Sequence, residues 1–177
     1  MSSSGLHWML TLRRRFEFIE MMPKPDVLSV IDIEGVSVQD ILETMNKRIK
    51  VLLDRDHCIG HAYFTSLIEK PSLESLMTIF EKRIIPLLQE YFFDDWTKIN
   101  LVLGENGMVH TMNLDSSLFL SMNSSEIEHL TKRNWDVNKY LFKNAPLETK
   151  INALNQIINP EKDYKIPQPE ITDEKAS

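Results

Sequence analysis

Apolar positions recur at helical spacing over several stretches of the chain. In SVQDILETMNKRIKVLLD, Val38, Ile41, Leu42, Met45, Ile49, Leu52 and Leu53 repeat every three to four residues and predict an amphipathic helix. Ser37 is its cap, Asp40 follows three residues later as in a capping box, and Gly35 supplies a turn just before. PSLESLMTIFEKRIIPLLQEYF predicts a second helix, capped by Ser72, with Leu73, Leu76, Met77, Phe80, Ile84, Leu87, Leu88 and Tyr91 as its stripe. Pro86 removes a backbone donor inside that pattern, so the helix should kink or split there. DDWTKINLVLG predicts a short third helix, with acids at its positive end and Gly104 at its stop. In APLETKINALNQIINP, Leu147, Ile151, Leu154 and Ile158 align into a final helix that Pro160 terminates.

A different period appears near the start. In RRRFEFIEMMPKP, Phe16 and Phe18 point to one face and Ile19 and Met21 to the other, the pattern of a strand covered on both sides. Pro23 and Pro25 end it, because proline cannot continue a central ladder. No neighbouring strand is evident, so the segment reads as an orphan strand of a larger fold. MVHTMNL and SLFLSMN, after Gly104, predict short strands around turns. From Glu161 onward the chain is polar and proline-spotted and predicts a loose tail. The expected organisation is a mainly α chain: residues 1–25 with the orphan strand, a helical part over 26–160, and a disordered tail over 161–177.

Composition narrows the function classes. A chain of 177 residues with 42% hydrophobic residues has the means for one ordinary domain with a real core. A net charge of -6 argues against a protein that itself coats nucleic acid. One cysteine leaves no intrachain disulfide and fits a reducing compartment. No apolar run approaches the ~20 residues that span a bilayer. In MSSSGLHWMLTLRRRF the arginines follow the apolar stretch, the reverse of a secretory signal, so the expected compartment is the cytoplasm, without membrane contact.

Chemistry concentrates in LDRDHCIGHAYF, Leu53 to Phe64. A structural zinc site needs four ligands, usually two such pairs. Here Cys58 and His61 have no second cysteine, and His7, His57, His110 and His129 are scattered, so no metal site is expected. A thiol nucleophile needs a base within hydrogen-bond reach. The intervening Gly60 disfavours the regular helix that would bring Cys58 and His61 together, and a small buried cysteine is the favoured reading. None of the five glycines begins a G-x-x-x-x-G-K-[ST] loop, so there is no Walker A cradle for phosphates. VLSVIDIE faintly resembles a Walker B strand, but without the first motif it reads as ordinary sequence. Arg13, Arg14 and Arg15 have two readings: a solvated helix end that complements the dipole, or guanidinium groups reaching a neighbour's phosphate.

LRRRFEFIEMMP, NKRI, LLDRDHCIGHAYF and IFEKRIIPLLQEYFFDDWTKINLVLG stand in the order and spacing of one family. The chain resembles the C-terminal part of McrB-type proteins, AAA+ NTPase subunits of modified-cytosine-dependent restriction systems, typically GTP-using. The likeness is strong over Leu12 to Gly104 and weaker beyond, and IGHAYF with IIPLLQEYF is its most specific part. It implies that Phe16 to Met21 is the last strand of an AAA+ α/β core and that the helices after Pro25 are the C-terminal helical lid. It implies arginine-finger roles for Arg14 and Arg15, acting on the next subunit's nucleotide. It implies a lid contact with nucleotide for Gly60 and His61, packed in place by Tyr63 and Phe64.

The resemblance also sets expectations for partners. The chain alone should bind no cofactor, while an intact family member uses GTP or ATP with Mg²⁺. Expected partners are neighbouring AAA+ subunits in a ring and a McrC-like nuclease, with DNA reached only through the complete assembly. Where the family reads D-x-A-L before the arginines, this chain has MLTL, Met9 to Leu12, after MSSSGLHW. That departure implies that upstream sequence was lost; with the family's Walker A and Walker B regions missing, the chain is expected to be inactive alone. The alternative is a stand-alone helical interaction module that joins or caps a ring or binds its nuclease partner. A metal- or thiol-dependent enzyme is a weaker third reading.

Overall fold

The computed structural model describes residues 24–168, Leu120 excepted, so Arg14, Arg15 and the orphan strand lie outside the described residues. The fold is mainly helical, with two small sheets. The chain enters through a 3₁₀ turn, Pro25–Leu28, and a hairpin of β1 (Asp32–Ile33) and β2 (Val36–Ser37) paired antiparallel. Its turn residues Glu34 and Gly35 have φ of 53° and 82°, the positive values that a tight two-residue hairpin demands.

The first long helix, α1 (Val38–Leu52), starts where its cap directs: the Ser37 hydroxyl oxygen accepts from the Asp40 N–H at 3.2 Å. Its stripe of Ile41, Leu42, Met45 and Ile49 is wholly buried. After a loop come a 3₁₀ turn, His61–Phe64, and the short α2 (Ser66–Glu69). The second long pattern splits, as Pro86 requires, but through a change of hydrogen-bond register. Between α3 (Leu73–Ile79) and α4 (Ile85–Tyr91), residues Phe80–Ile84 form a π turn, and the Ile85 N–H bonds Phe80 O. Pro86 thereby falls in the first turn of α4, where its missing N–H costs little.

The next connection is strained. Phe93 and Asp94 have φ of 51° and 59°, in the left-handed region that non-glycine residues rarely occupy. Asp94 is held by Gln89, whose carbonyl accepts its N–H at 3.0 Å and whose Nε2 donates to its carboxylate at 3.1 Å. α5 (Trp96–Val102) follows, capped by Asp95. Gly104 then ends it at φ +75°; a Cβ there would stand 2.7 Å from the Gln156 carbonyl oxygen and 2.9 Å from Arg48 Nη1.

Past Gly104 the fold departs from the pattern reading. MVHTMNL does contain β3 (Val109–Thr111), but the described residues of SLFLSMN form no strand; Ser116–Leu118 is a 3₁₀ turn. Asp115 accepts the Ser117 N–H at 2.9 Å, which curls the chain locally instead of extending it. The partner of β3 is β4 (Trp135–Val137), antiparallel, reached through α6 (Ser124–Thr131). After β4 come α7 (Lys139–Lys143) and α8 (Leu147–Ile158). α1 packs on α5 and α8, α8 also touches β2 and α7, and α4 lies on α5.

Buried side-chain amides tie the later segments to this core. Asn106 Nδ2 donates to the Ala153 carbonyl at 3.0 Å. Asn138 Nδ2 reaches the carbonyls of Gly107 and Pro167, both at 2.9 Å. Gln156 exchanges bonds of 3.1 and 2.9 Å with the Glu161 backbone. Residues 161–168, expected from composition to be loose, are therefore anchored at both ends, because backbone groups of the segment find buried donors and acceptors. Among the described residues no helix is long and apolar enough to cross a membrane.

Candidate functional site: the Gly60–His61 corner

The corner is built on one buried polar residue. Asn46 lies on the apolar face of α1, four residues after Leu42 and three before Ile49, and is 6% exposed. Its side chain grips the main chain of Ile59: Nδ2 donates to the carbonyl at 3.0 Å, and Oδ1 accepts the N–H at 2.7 Å. Ile59 itself is fully buried. This pair of bonds fixes the point at which the loop after α1 turns into Gly60 and His61.

The loop has an internal brace. One Asp54 carboxylate oxygen accepts the N–H groups of Asp56 and His57 at 2.8 and 3.1 Å, and lies 2.7 Å from His57 Nδ1. The His57 side-chain bond, helped by the two backbone N–H groups, holds the Asp54 carboxyl below its ordinary range. The His57 ring meets Tyr91 of α4 edge-on, with centroids 5.0 Å apart. The brace thus links loop to helix, and it uses the histidine that is not the candidate site residue.

Gly60 and His61 open the next turn. Gly60 has φ -73° and ψ 145°, and a Cβ there would meet nothing within 4 Å. Unlike Gly104, it is not required to be glycine by its own fold; its bare backbone faces open space. The His61 Nδ1 accepts the Lys24 N–H at 3.2 Å, joining the Pro25–Leu28 turn to the corner. A ring nitrogen that accepts a backbone N–H carries no proton, so in this arrangement the neutral ring has its proton on Nε2. Phe64 is fully buried and lies 6.2 Å from Phe80, anchoring the turn, and Tyr63 packs on the core partly covered.

Cys58 belongs to none of these contacts. Burial pushes its thiol pKa up, away from the thiolate that nucleophilic or metal chemistry uses. Among the described residues no three His, Cys, Asp or Glu side chains converge as metal ligands would. The structure therefore brings Gly60 and His61 together with Lys24, and adds as supports Asn46 and Asp54, which the sequence reading did not single out, and Tyr91, which it placed only in an apolar stripe. Asn46 had a signal, a polar residue inside an apolar stripe; the His61–Lys24 contact had none.

Comparison with known proteins covers this same region. Residues 37–100 match the family model of the McrB alpha-helical lid domain. A Type IV methyl-directed restriction enzyme, the EcoKMcrB subunit of Escherichia coli strain K12, is 33% identical over 116 residues. That alignment covers 54% of this chain and 25% of the relative, so the chain spans about a quarter of that protein's length. The matched residues include the whole of α1 to α4, the Asn46 clamp and the Gly60–His61 corner. Residues 37–100 of this chain are thus similar to the alpha-helical lid domain of McrB.

Proposed function

We propose that this chain serves as the nucleotide-facing lid of a McrB-like AAA+ motor in a modification-dependent DNA restriction system, and that it does not turn over nucleotide by itself. The observation that carries the reading is the Gly60–His61 corner: an open glycine backbone beside an imidazole whose Nδ1 is occupied and whose Nε2 donates to no partner among the described residues. Such a pair suits a phosphate or a base edge, since it offers one hydrogen-bond donor and room for close approach. GTP or ATP with Mg²⁺ would be held mainly by a Walker-bearing core, and the lid would register its presence. Arg14 and Arg15 are the arginine-finger candidates toward a neighbouring subunit, and a McrC-like nuclease is the downstream partner. The lack of a Walker A loop supports inactivity of the chain alone, because nothing else in the sequence gathers phosphates and Mg²⁺.

A chimera in which this lid replaces that of the E. coli relative tests the reading. The chimera should hydrolyse nucleotide, while the isolated chain should hydrolyse neither GTP nor ATP above background. His61→Ala should lower turnover in the chimera. Gly60→Ala, which the fold itself accommodates, should leave the melting temperature of the isolated chain within the small range of surface changes, about 0.5 kcal/mol. Turnover by the isolated chain, or a chimera indifferent to His61→Ala, would remove the basis of the proposal.

A further inference from the structure

Two surface features lie outside the Gly60–His61 corner and stand open among the described residues. The first is an open groove between α1 and α5, of about 430 Å³, lined by Thr44, Lys47, Arg48, Val51, Leu52 and Leu101. Val51 is 84% exposed and Leu101 40%, so the floor presents apolar surface to solvent. Its edge is cationic. Lys47 has one distant carboxylate partner, Glu43 at 3.9 Å. Arg48 places Nη1 on the Val102 carbonyl at 3.0 Å, with Glu105 as the acid that acts on it.

The second feature is the turn between α4 and α5. Phe93 stands 90% exposed there, aimed outward by its positive φ. Asp95 is occupied as the cap of α5 and pairs with Lys98 at 3.6 Å, but Asp94 is exposed and, among the described residues, has only the Gln89 amide as a side-chain partner. An aromatic knob beside a carboxylate is the complement of an apolar groove with a cationic edge. The knob precedes α5 and Leu101 lies near its other end, so the rigid helix, roughly 10 Å long, separates the two within one chain.

We propose that this face is a self-association surface, in which Phe93 of one copy enters the α1–α5 groove of a second copy while Asp94 meets Lys47. A two-fold arrangement makes both contacts at once, since each copy carries a knob and a groove. The surface is independent of the nucleotide corner.

Sedimentation velocity of the full chain over a range of concentration and salt tests this. The wild-type chain should pair reversibly, and pairing should weaken as salt rises. Phe93→Asn keeps a side chain tolerant of positive φ and should leave a monomer. Val51→Glu, at an exposed helix position, should do the same from the groove side, and Lys47→Glu should weaken pairing less. Circular dichroism should show native helicity in each variant. A wild-type chain that stays monomeric at every soluble concentration overturns the proposal, whatever else its groove binds, as does pairing that survives both Phe93→Asn and Val51→Glu.

Discussion

Asn46 carries more of the corner than any residue whose chemistry attracts notice. Replacing it with alanine removes both bonds to Ile59 and leaves a buried N–H and a buried carbonyl without partners. Each unsatisfied group costs about 1–3 kcal/mol, so Asn46→Ala should lower unfolding stability by roughly 2–6 kcal/mol in denaturant titration. Limited proteolysis should cut first in the loop over residues 53–60. If the variant lost less than about 1 kcal/mol, water would have to be replacing the amide, and the corner would be looser than its hydrogen bonds imply. From residues alone the helix starts were legible, since Ser37, Ser72 and Asp95 behave as caps should, whereas Gly60 and His61 were singled out as site residues only through the family resemblance. The His61 partner was not legible, because Lys24 lies 37 positions away and no local pattern links the two.

At the level of elements, legibility followed burial. Helices α1, α3, α4, α5 and α8 put an apolar stripe into the core, and that stripe is what a periodicity reading detects. α6 buries none of its residues, so it leaves no stripe to read. It is held at its start by a full capping box: Asn123 Oδ1 accepts the Glu126 N–H at 3.0 Å, and Glu126 accepts the Asn123 N–H at 2.8 Å. The N-S-S-E sequence is the signal that would have found it. Because so little packing supports α6, Asn123→Ala should act locally. Hydrogen exchange over residues 124–131 should speed up by an amount equivalent to about 1 kcal/mol, while the global unfolding midpoint stays in place. A shift of the global midpoint instead would mean that α6 unfolds together with the core.

Across the whole molecule, the segment after α8 closes the structure, and Tyr164 reports on that closure. Its hydroxyl is buried without a hydrogen-bond partner among the described residues. Burial pushes its pKa from the ordinary 10.0 up to about 12. The sign follows from proton counts: above pH 10.0 the unfolded chain sheds this proton while the folded chain keeps it, so stability falls as pH rises toward about 12. Tyr91, also raised by burial, adds to the same trend. Tyr164→Phe should remove its share of the alkaline loss and, by deleting an unpaired buried hydroxyl, should stabilise the protein at neutral pH by about 1 kcal/mol. Spectrophotometric titration showing an ordinary tyrosine at position 164 would mean that residues 161–168 do not pack as described.

The buried amides share a habit: Asn46, Asn106, Asn138 and Gln156 all hold main-chain atoms of Ile59, Ala153, Gly107, Pro167 and Glu161 and, among the described residues, no other side chain. A grip on the backbone is indifferent to what the gripped residue is. Information is therefore divided unequally between the two sides of each contact. The holders have almost no acceptable substitutes, while Glu161 and its exposed neighbours are free to drift. A saturation mutagenesis library selected for folding should show this asymmetry most clearly at an intolerant Gln156 facing a permissive Glu161, since Ile59 and Ala153 are also held by burial and Gly107 by its positive φ, and lineages that diverge in the 161–168 segment should still keep its path across the surface.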